Sequence, residues 1–399
     1  MADSRSGAEK QAPTCPWPLP AQGIDIVLLL LVIALVLFGL IMVYSSSFIY
    51  AQEKTGDGFA FIKKQLLYAG LGFGALVVAC RIDYRRWAKW ALPFLVIAMA
   101  LLALILVPGV GARVGGAQRW LRLGGWSFQP GELAKFAILF FVARQLDRKR
   151  DRLHILAAGA VSPFLAALPA LALLLAQPDF GTTVMVSVVI FSLMYLAGVP
   201  RKYLGTALAL GGTVGLWLAL GTGYRRARVM TFLDPWRDPA GKGFQIIQSM
   251  VGLHNGSLFG VGLGNGKEKL FFLPEAHNDF IFSVVGEELG FVGIGAVLTV
   301  YIYFIHRGLK IAWNCHKQYQ DGFGMLLAAG ITLALGLQGF VNMAVVMGFV
   351  PTKGLTLPFI SYGGSALLVD LFAVGVLLSI ARGPQQPTPL SKLTKEELA

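Results

Sequence analysis

The chain has 399 residues, of which 34 are Lys or Arg and 21 are Asp or Glu, giving a net charge of +13. Charged residues make up 14% and hydrophobic residues 56%, with a mean hydropathy of +0.66, against roughly 25% charge in a soluble domain. This excludes disorder, a coiled coil and a DNA-binding domain, and leaves an all-α polytopic membrane protein whose basic excess belongs at cytoplasmic loops.

A helix crossing the hydrocarbon core needs about 20 mostly apolar residues, so the gaps between charges predict the spans. Residues 1–23 read as a flexible cytoplasmic tail. The first charge-free run, 26–52, is longer than a signal-peptide core. Runs 65–80 and 90–112 follow. After Pro130 comes an interrupted span that holds Glu132 and Lys135, three apart and so on one helix face. Ionisable groups in a membrane helix face the bundle interior or a wet cavity; this pair either pins two helices together or binds a ligand. Runs 153–178, 180–200 and 203–224 are the next three spans.

Residues 221–278 form a long outer segment with ten glycines, seven basic and four acidic residues. Arg225, Arg226 and Arg228 lie at the headgroup level, where guanidinium groups meet phosphate bidentately or simply form a solvated collar. FQIIQSMVGL reads as a short helix on the membrane surface, with Phe244, Ile247, Met250 and Val251 on one face. GVGLGNGK is no phosphate loop, because Val261 and Glu268 stand where a Gly and a Ser or Thr are required. Its glycines suit a tight, close-approaching backbone. Glu275, His277 and Asp279 cluster where the chain re-enters the bilayer. A carboxylate there, kept ionised by basic groups across a cavity, can act as a general base. No ligand spacing supports a zinc site at His254 and His277.

The eighth span starts near Phe280 and holds Glu287 and Glu288, which cap or pair; the ninth is 322–352. The tenth follows Gly363–Gly364 and holds Asp370, which meets water or a polar partner. Residues 383–399 read as a second cytoplasmic tail. With both termini inside, the inner segments hold 19 Lys and Arg and the short outer loops seven, as the positive-inside rule demands. Cys15, Cys80 and Cys315 then face the reducing side.

Six stretches carry a family likeness: GLIMVYSSS (39–47), GAQRWLRLGGWSFQPGELAKFAI (116–138), QPDFGT (177–182), FLDPWRDPAGKGFQIIQS (232–249), GVGLGNGKEKLFFLPEAHNDFIFSVVGEELG (260–290) and PTKGLTLPFISYGGSALL (351–368). From about residue 24 to 382 the chain resembles the SEDS family of FtsW and RodA. Lys353-Gly354-Leu355-Thr356 looks like the division branch. The resemblance implies a ten-helix transmembrane domain over 24–382, with the 221–278 extracytoplasmic loop between helices 7 and 8. It further implies a multi-pass protein of the bacterial inner membrane, at the division septum, that polymerises lipid II as a peptidoglycan glycosyltransferase. Its lipid substrates would be lipid II and an undecaprenyl-pyrophosphate-linked glycan. Its partners would be a class B penicillin-binding protein and other divisome proteins, with no nucleic acid.

Carried over residue by residue, the family's essential outer-loop aspartate is Asp279, the base for the acceptor hydroxyl. Glu132 and Lys135 match the cavity-lining GELAK pair, Arg119 the basic residue before Trp120, and Lys353 the lysine before GLT. Arg225, Glu275 and His277 complete the expected substrate-binding set. A divalent cation, Mg or Mn, could share the charge of the leaving pyrophosphate; no organic cofactor is expected. The chain departs from the family's usual residues at Asn278, where Thr or Ser is usual, at Gly131, where Ser is common, at His254–Asn255, and at Asp370. A lipid II flippase, an elongation-type polymerase and a non-catalytic division scaffold remain as alternatives.

Overall fold

The computed structural model describes residues 23–114, 117–123, 126–221, 223–241, 243–352 and 354–384; the two predicted tails fall almost wholly outside the described residues. The helices in chain order are α1 (Ile26–Thr55), α2 (Ala60–Arg81), α3 (Tyr84–Leu106), α4 (Pro130–Arg148), α5 (Ser162–Ala176), α6 (Phe180–Leu196), α7 (Arg201–Leu220), α8 (Gly223–Leu233), α9 (Phe244–Asn255), α10 (Ile281–Tyr319), α11 (Gly322–Val346) and α12 (Gly364–Arg382). Six of them, α1, α2, α3, α10, α11 and α12, are long and apolar enough to cross a membrane, and α5 and α6 are shorter apolar helices.

Charges bound the apolar runs for a local reason. Asp25, Asp83, Asp179 and Asp321 each sit at a helix N-cap and accept a backbone amide of the first turn, from Leu28, Arg85, Thr182 and Gly324. Each such cap stabilises its helix by about 1 kcal/mol. The α3 helix starts at Tyr84, ahead of the charge-free run from 90, because Asp83 caps it there while Tyr84 and Trp87 are buried. Arg85, Arg86 and Lys89 ride on that first turn and a half, where long cationic side chains can snorkel to water.

The core gathers around α4, α11 and α12. Glycines set the closest crossings: a Cβ on Gly375 would lie 2.4 Å from the Leu76 carbonyl of α2, and one on Gly308 would lie 2.1 Å from Thr332 Oγ1 of α11. Small residues at helix contacts are what close packing in lipid requires. By contrast α7 packs mainly, among the described residues, on α6, α8 and the turn before α5, and exposes apolar side chains along its length.

The outer connections were less legible. Between α3 and α4 lies an antiparallel sheet, β1 (Gly111–Val114), β2 (Ala117–Leu123) and β3 (Trp126–Phe128), in the order β1-β2-β3. Ala112 pairs with Trp120, and Leu121 with Phe128. The expected surface helix exists as α9, but its face differs. Ile246, Ile247, Ser249 and Gly252 turn inward, while Val251 is exposed. Ser249 Oγ donates to the Val346 carbonyl at 2.8 Å, and Ser283 Oγ donates to the Ser249 carbonyl at 3.0 Å. These bonds and the lack of a side chain at Gly252 draw α9 onto α10 and α11.

The α10 helix breaks at Gly290, with φ 67° and ψ −164°. The carbonyls of Glu287 and Glu288 accept from the amides of Val261 and Gly262, while the amides of Phe291 and Val292 donate to the carbonyls of Ser257 and Leu258. Irregular backbone at membrane depth survives only where protein satisfies it in this way. Glu287 also accepts the amides of Lys267 and Glu268, and Glu288 pairs with Lys269 at 2.6 Å and accepts from Ser45 Oγ. Both glutamates therefore stitch the glycine-rich loop to the bundle. Gly260→Ala is expected to release that loop: its φ is +79° and a Cβ would lie 2.1 Å from the Glu288 carbonyl. Backbone strain alone costs about 1–3 kcal/mol. Limited proteolysis should then cut residues 257–267 faster with the helices intact.

Candidate active site

Ahead of α10 the chain turns tightly, with Glu275 at φ 58°. Three consecutive carbonyls are then held from outside. The His277 carbonyl accepts from the Tyr362 amide at 2.9 Å, that of Asn278 from Ser361 Oγ at 2.7 Å, and that of Asp279 from Asn342 Nδ2 at 2.8 Å. Asn342 also donates to the Leu355 carbonyl at 2.6 Å. The turn, the 354–363 segment and α11 thus form one rigid frame. Asn278 Nδ2 donates to Glu275 Oε2 at 2.5 Å and so holds Glu275.

Asp279 stands on that frame, half-buried, with no donor among the described residues bonded to its carboxylate. Gly354 lies against it: a Cβ there would come 2.9 Å from Asp279 Oδ2. Burial pushes the Asp279 carboxyl up to about 7; Glu275 adds to the rise, and Arg119 and Arg228 oppose it. The expectation of a carboxylate held ionised by cations is thus half met. The cations are present, but desolvation is the larger effect. Arg119, on β2, donates to the Gln177 and Pro178 carbonyls and stands 3.8 Å from Asp179 Oδ1. Arg228, on α8, donates to the Thr352 carbonyl at 3.3 Å.

The other expected residues divide. Glu132 and Lys135 are buried inside the bundle, where Lys135 Nζ donates to Glu132 Oε2 at 2.8 Å and to Gln338 Oε1 at 2.7 Å. Asp370 Oδ1 joins them at 3.5 Å from Nζ. Gln338 passes the link on, donating to the Thr356 carbonyl at 3.0 Å. Lys135 is thus engaged by Glu132, Gln338 and Asp370. His277 turns inward among Tyr50, Phe61 and Tyr362, and burial lowers its pKa. An imidazole held among these rings helps position the turn. Arg225 lies on α8 with its side chain outside the described ones, and Lys353 lies outside the described residues. Among the described residues no three His, Cys, Asp or Glu side chains gather as a metal cage.

Gln338 and Asn342 are not among the residues expected from the sequence. Their signal was present: two amides one helical turn apart in an otherwise apolar span, and polar groups in a span are functional candidates.

The FtsW, RodA and SpoVE cell cycle protein family matches residues 25–386. The probable peptidoglycan glycosyltransferase FtsW of Geobacter sulfurreducens is 45% identical over 357 residues, 90% of this chain and 95% of that protein. Stage V sporulation protein E of Bacillus subtilis is 41% identical over 362 residues, 90% of this chain and 97% of that one. A chain from a peptidoglycan synthase complex that coordinates polymerization and crosslinking superposes with a TM-score of 0.74 at 34% identity, covering 93% of this chain and all of that one. The rod shape determining protein RodA of Thermus thermophilus superposes with a TM-score of 0.67 at 30% identity, covering 91% and 98%. The chain belongs to the FtsW, RodA and SpoVE family.

Proposed function

We infer that this chain is a peptidoglycan glycosyltransferase acting in cell division, and that Asp279 is its general base. The observation that carries the base assignment is a half-buried carboxylate that accepts no hydrogen bond from the described residues, its pKa raised by burial to about 7 against the lowering effect of Arg119 and Arg228. The acceptor is the 4-hydroxyl of the GlcNAc of lipid II. Asp279 takes its proton as the hydroxyl oxygen attacks the anomeric carbon of the donor glycan. The bond from that carbon to the diphosphate oxygen breaks, undecaprenyl pyrophosphate departs with the electron pair, and inversion yields the β-1,4 link. A base pKa near the working pH suits this transfer. Among the described side chains, Arg119 and Arg228 act on Asp279 and would offset the diphosphate charge as it develops. Lys135, Glu132 and Asp370 hold the 354–363 segment in place through Gln338.

Ten spans follow if α4 to α7 cross with the six longer helices, and both termini are then cytoplasmic. The sparse packing of α7 supports lateral entry of the lipid tail from the bilayer. The likeness to a chain from a polymerization and crosslinking complex supports a class B penicillin-binding protein as partner. Septal residence in the bacterial inner membrane follows from the division branch. A flippase needs polar groups along a whole crossing path. The buried charges here are engaged with one another, which favours catalysis.

The test is the pH dependence of lipid II polymerisation by the chain co-purified with its transpeptidase partner. The base must be deprotonated to work, so log kcat/KM should rise with unit slope up to about 7 and then level. Arg228→Gln, which removes an opposing cation, should move the midpoint to higher pH. A flat profile through that range sinks the base assignment, and absence of polymer at every pH sinks the activity.

A further inference from the structure

We propose that the end of the bundle opposite Asp279 carries a binding site for the phosphodiester headgroup of an anionic membrane lipid. A cavity of about 370 Å³ opens there between the start of α1, the last three turns of α10 and the end of α12. Arg307 lies 26 residues into the helix that begins beside Asp279, so the two places are separated by the membrane span. This site is distinct from the catalytic frame and does not depend on the glycosyltransferase reading.

The donors lining the cavity are incompletely used. Arg307 gives one nitrogen, Nη2, to both oxygens of Asp25, at 2.8 and 2.7 Å. Its Nε is buried and has no partner among the described residues. Lys310 and Asn314, at one-turn intervals on the same helix face, also line the cavity and make no hydrogen bond or ion pair among the described residues. Asp25 cancels Arg307, so Lys310 leaves these three groups with one net positive charge. That matches the single negative charge of a phosphodiester, and unused N–H donors match its oxygens.

The surroundings favour a lipid over a soluble phosphate. Ile24, Ile26 and Val27 form part of the cavity wall, and Ile26, Leu30 and Trp313 are exposed on the flanking helices. A polar floor thus runs out onto an apolar surface, which would guide acyl chains along α1. Basic pockets between membrane helices are sites where anionic headgroups bind, and Trp313 suits the interfacial depth.

The test uses the full chain purified in detergent and titrated with phosphatidylglycerol, phosphatidylcholine or inorganic phosphate, read by unfolding midpoint and by lipid retained in native mass spectrometry. Phosphatidylglycerol should raise the midpoint and remain bound, while the other two at equal concentration do neither. Lys310→Gln should raise the half-saturating lipid concentration about fivefold, the effect of one cation near the surface, and adding Asn314→Leu should raise it further. Lys317→Gln, exposed on the same helix but outside the cavity, should match wild type. The proposal is overturned if Lys310→Gln binds as well as wild type, or if phosphatidylcholine or inorganic phosphate stabilises equally.

Discussion

Asp279→Asn is expected to insert, fold and bind its transpeptidase partner normally while losing lipid II polymerisation by about a thousandfold, the central magnitude for removing a general base. The change keeps the side-chain shape against Gly354 and leaves untouched the three carbonyl bonds that hold the turn, since those use only backbone atoms of residues 277–279. It removes the one group that can take the proton. Single-turnover assays with purified complex should show the loss in kcat with little change in KM, because an amide still fills the space beside the acceptor. A variant that polymerises at the wild-type rate would overturn the assignment. So would a loss shared equally by kcat and complex assembly, since that pattern belongs to a structural role.

Lys135→Met is expected to destabilise the protein more than any single change at the outer face, by about 3–5 kcal/mol, the usual result of removing one partner from a buried charge cluster. The change leaves Glu132 and Asp370 facing each other without a cation and frees Gln338 Oε1. Asp370→Asn is the informative contrast. It leaves the Lys135–Glu132 pair balanced and removes a carboxylate that stands 3.5 Å from Lys135 Nζ and accepts no hydrogen bond among the described residues, so its effect should stay within about 1 kcal/mol. Thermal unfolding in detergent separates the two. If Asp370→Asn is as damaging as Lys135→Met, the cluster needs all three charges and Asp370 is part of the ion pair proper.

Much of the helical plan was readable because the bilayer imposes length and polarity on every span. The boundaries were readable for a second reason: Asp25, Asp83, Asp179 and Asp321 are N-caps, so the charges that interrupt the apolar runs are the residues that start the helices. The sheet over 111–128 escaped notice because its strands are short and lie between spans, although Gly115–Gly116 and Gly124–Gly125 flank an alternating AQRWLRL, a hairpin signal in its own right. The α9 face was misread for a different reason. Apolar periodicity selected Phe244, Ile247, Met250 and Val251, of which Ile247 is buried and Val251 exposed, whereas contact is also made through Ser249 and Gly252, whose small size matters more than their hydrophobicity.

The candidate site shows the same division. Composition, span lengths and basic-loop bias determined a polytopic membrane protein, and the resemblance carried by the motifs, that around Asp279 included, implied a polymerase, since each depends on residue type and local order. Tertiary structure alone decided which cations oppose that carboxylate. The resemblance implies a cavity-lining Lys135, but α11 and α12 close around it, and Glu132 on its own helix pairs with it while Gln338 accepts from it and Asp370 stands 3.5 Å away. Arg119 and Arg228 come from β2 and α8, more than a hundred and more than fifty positions away along the chain. Coulombic effects follow distance and burial through space, and neither is written in the spacing of residues along a chain.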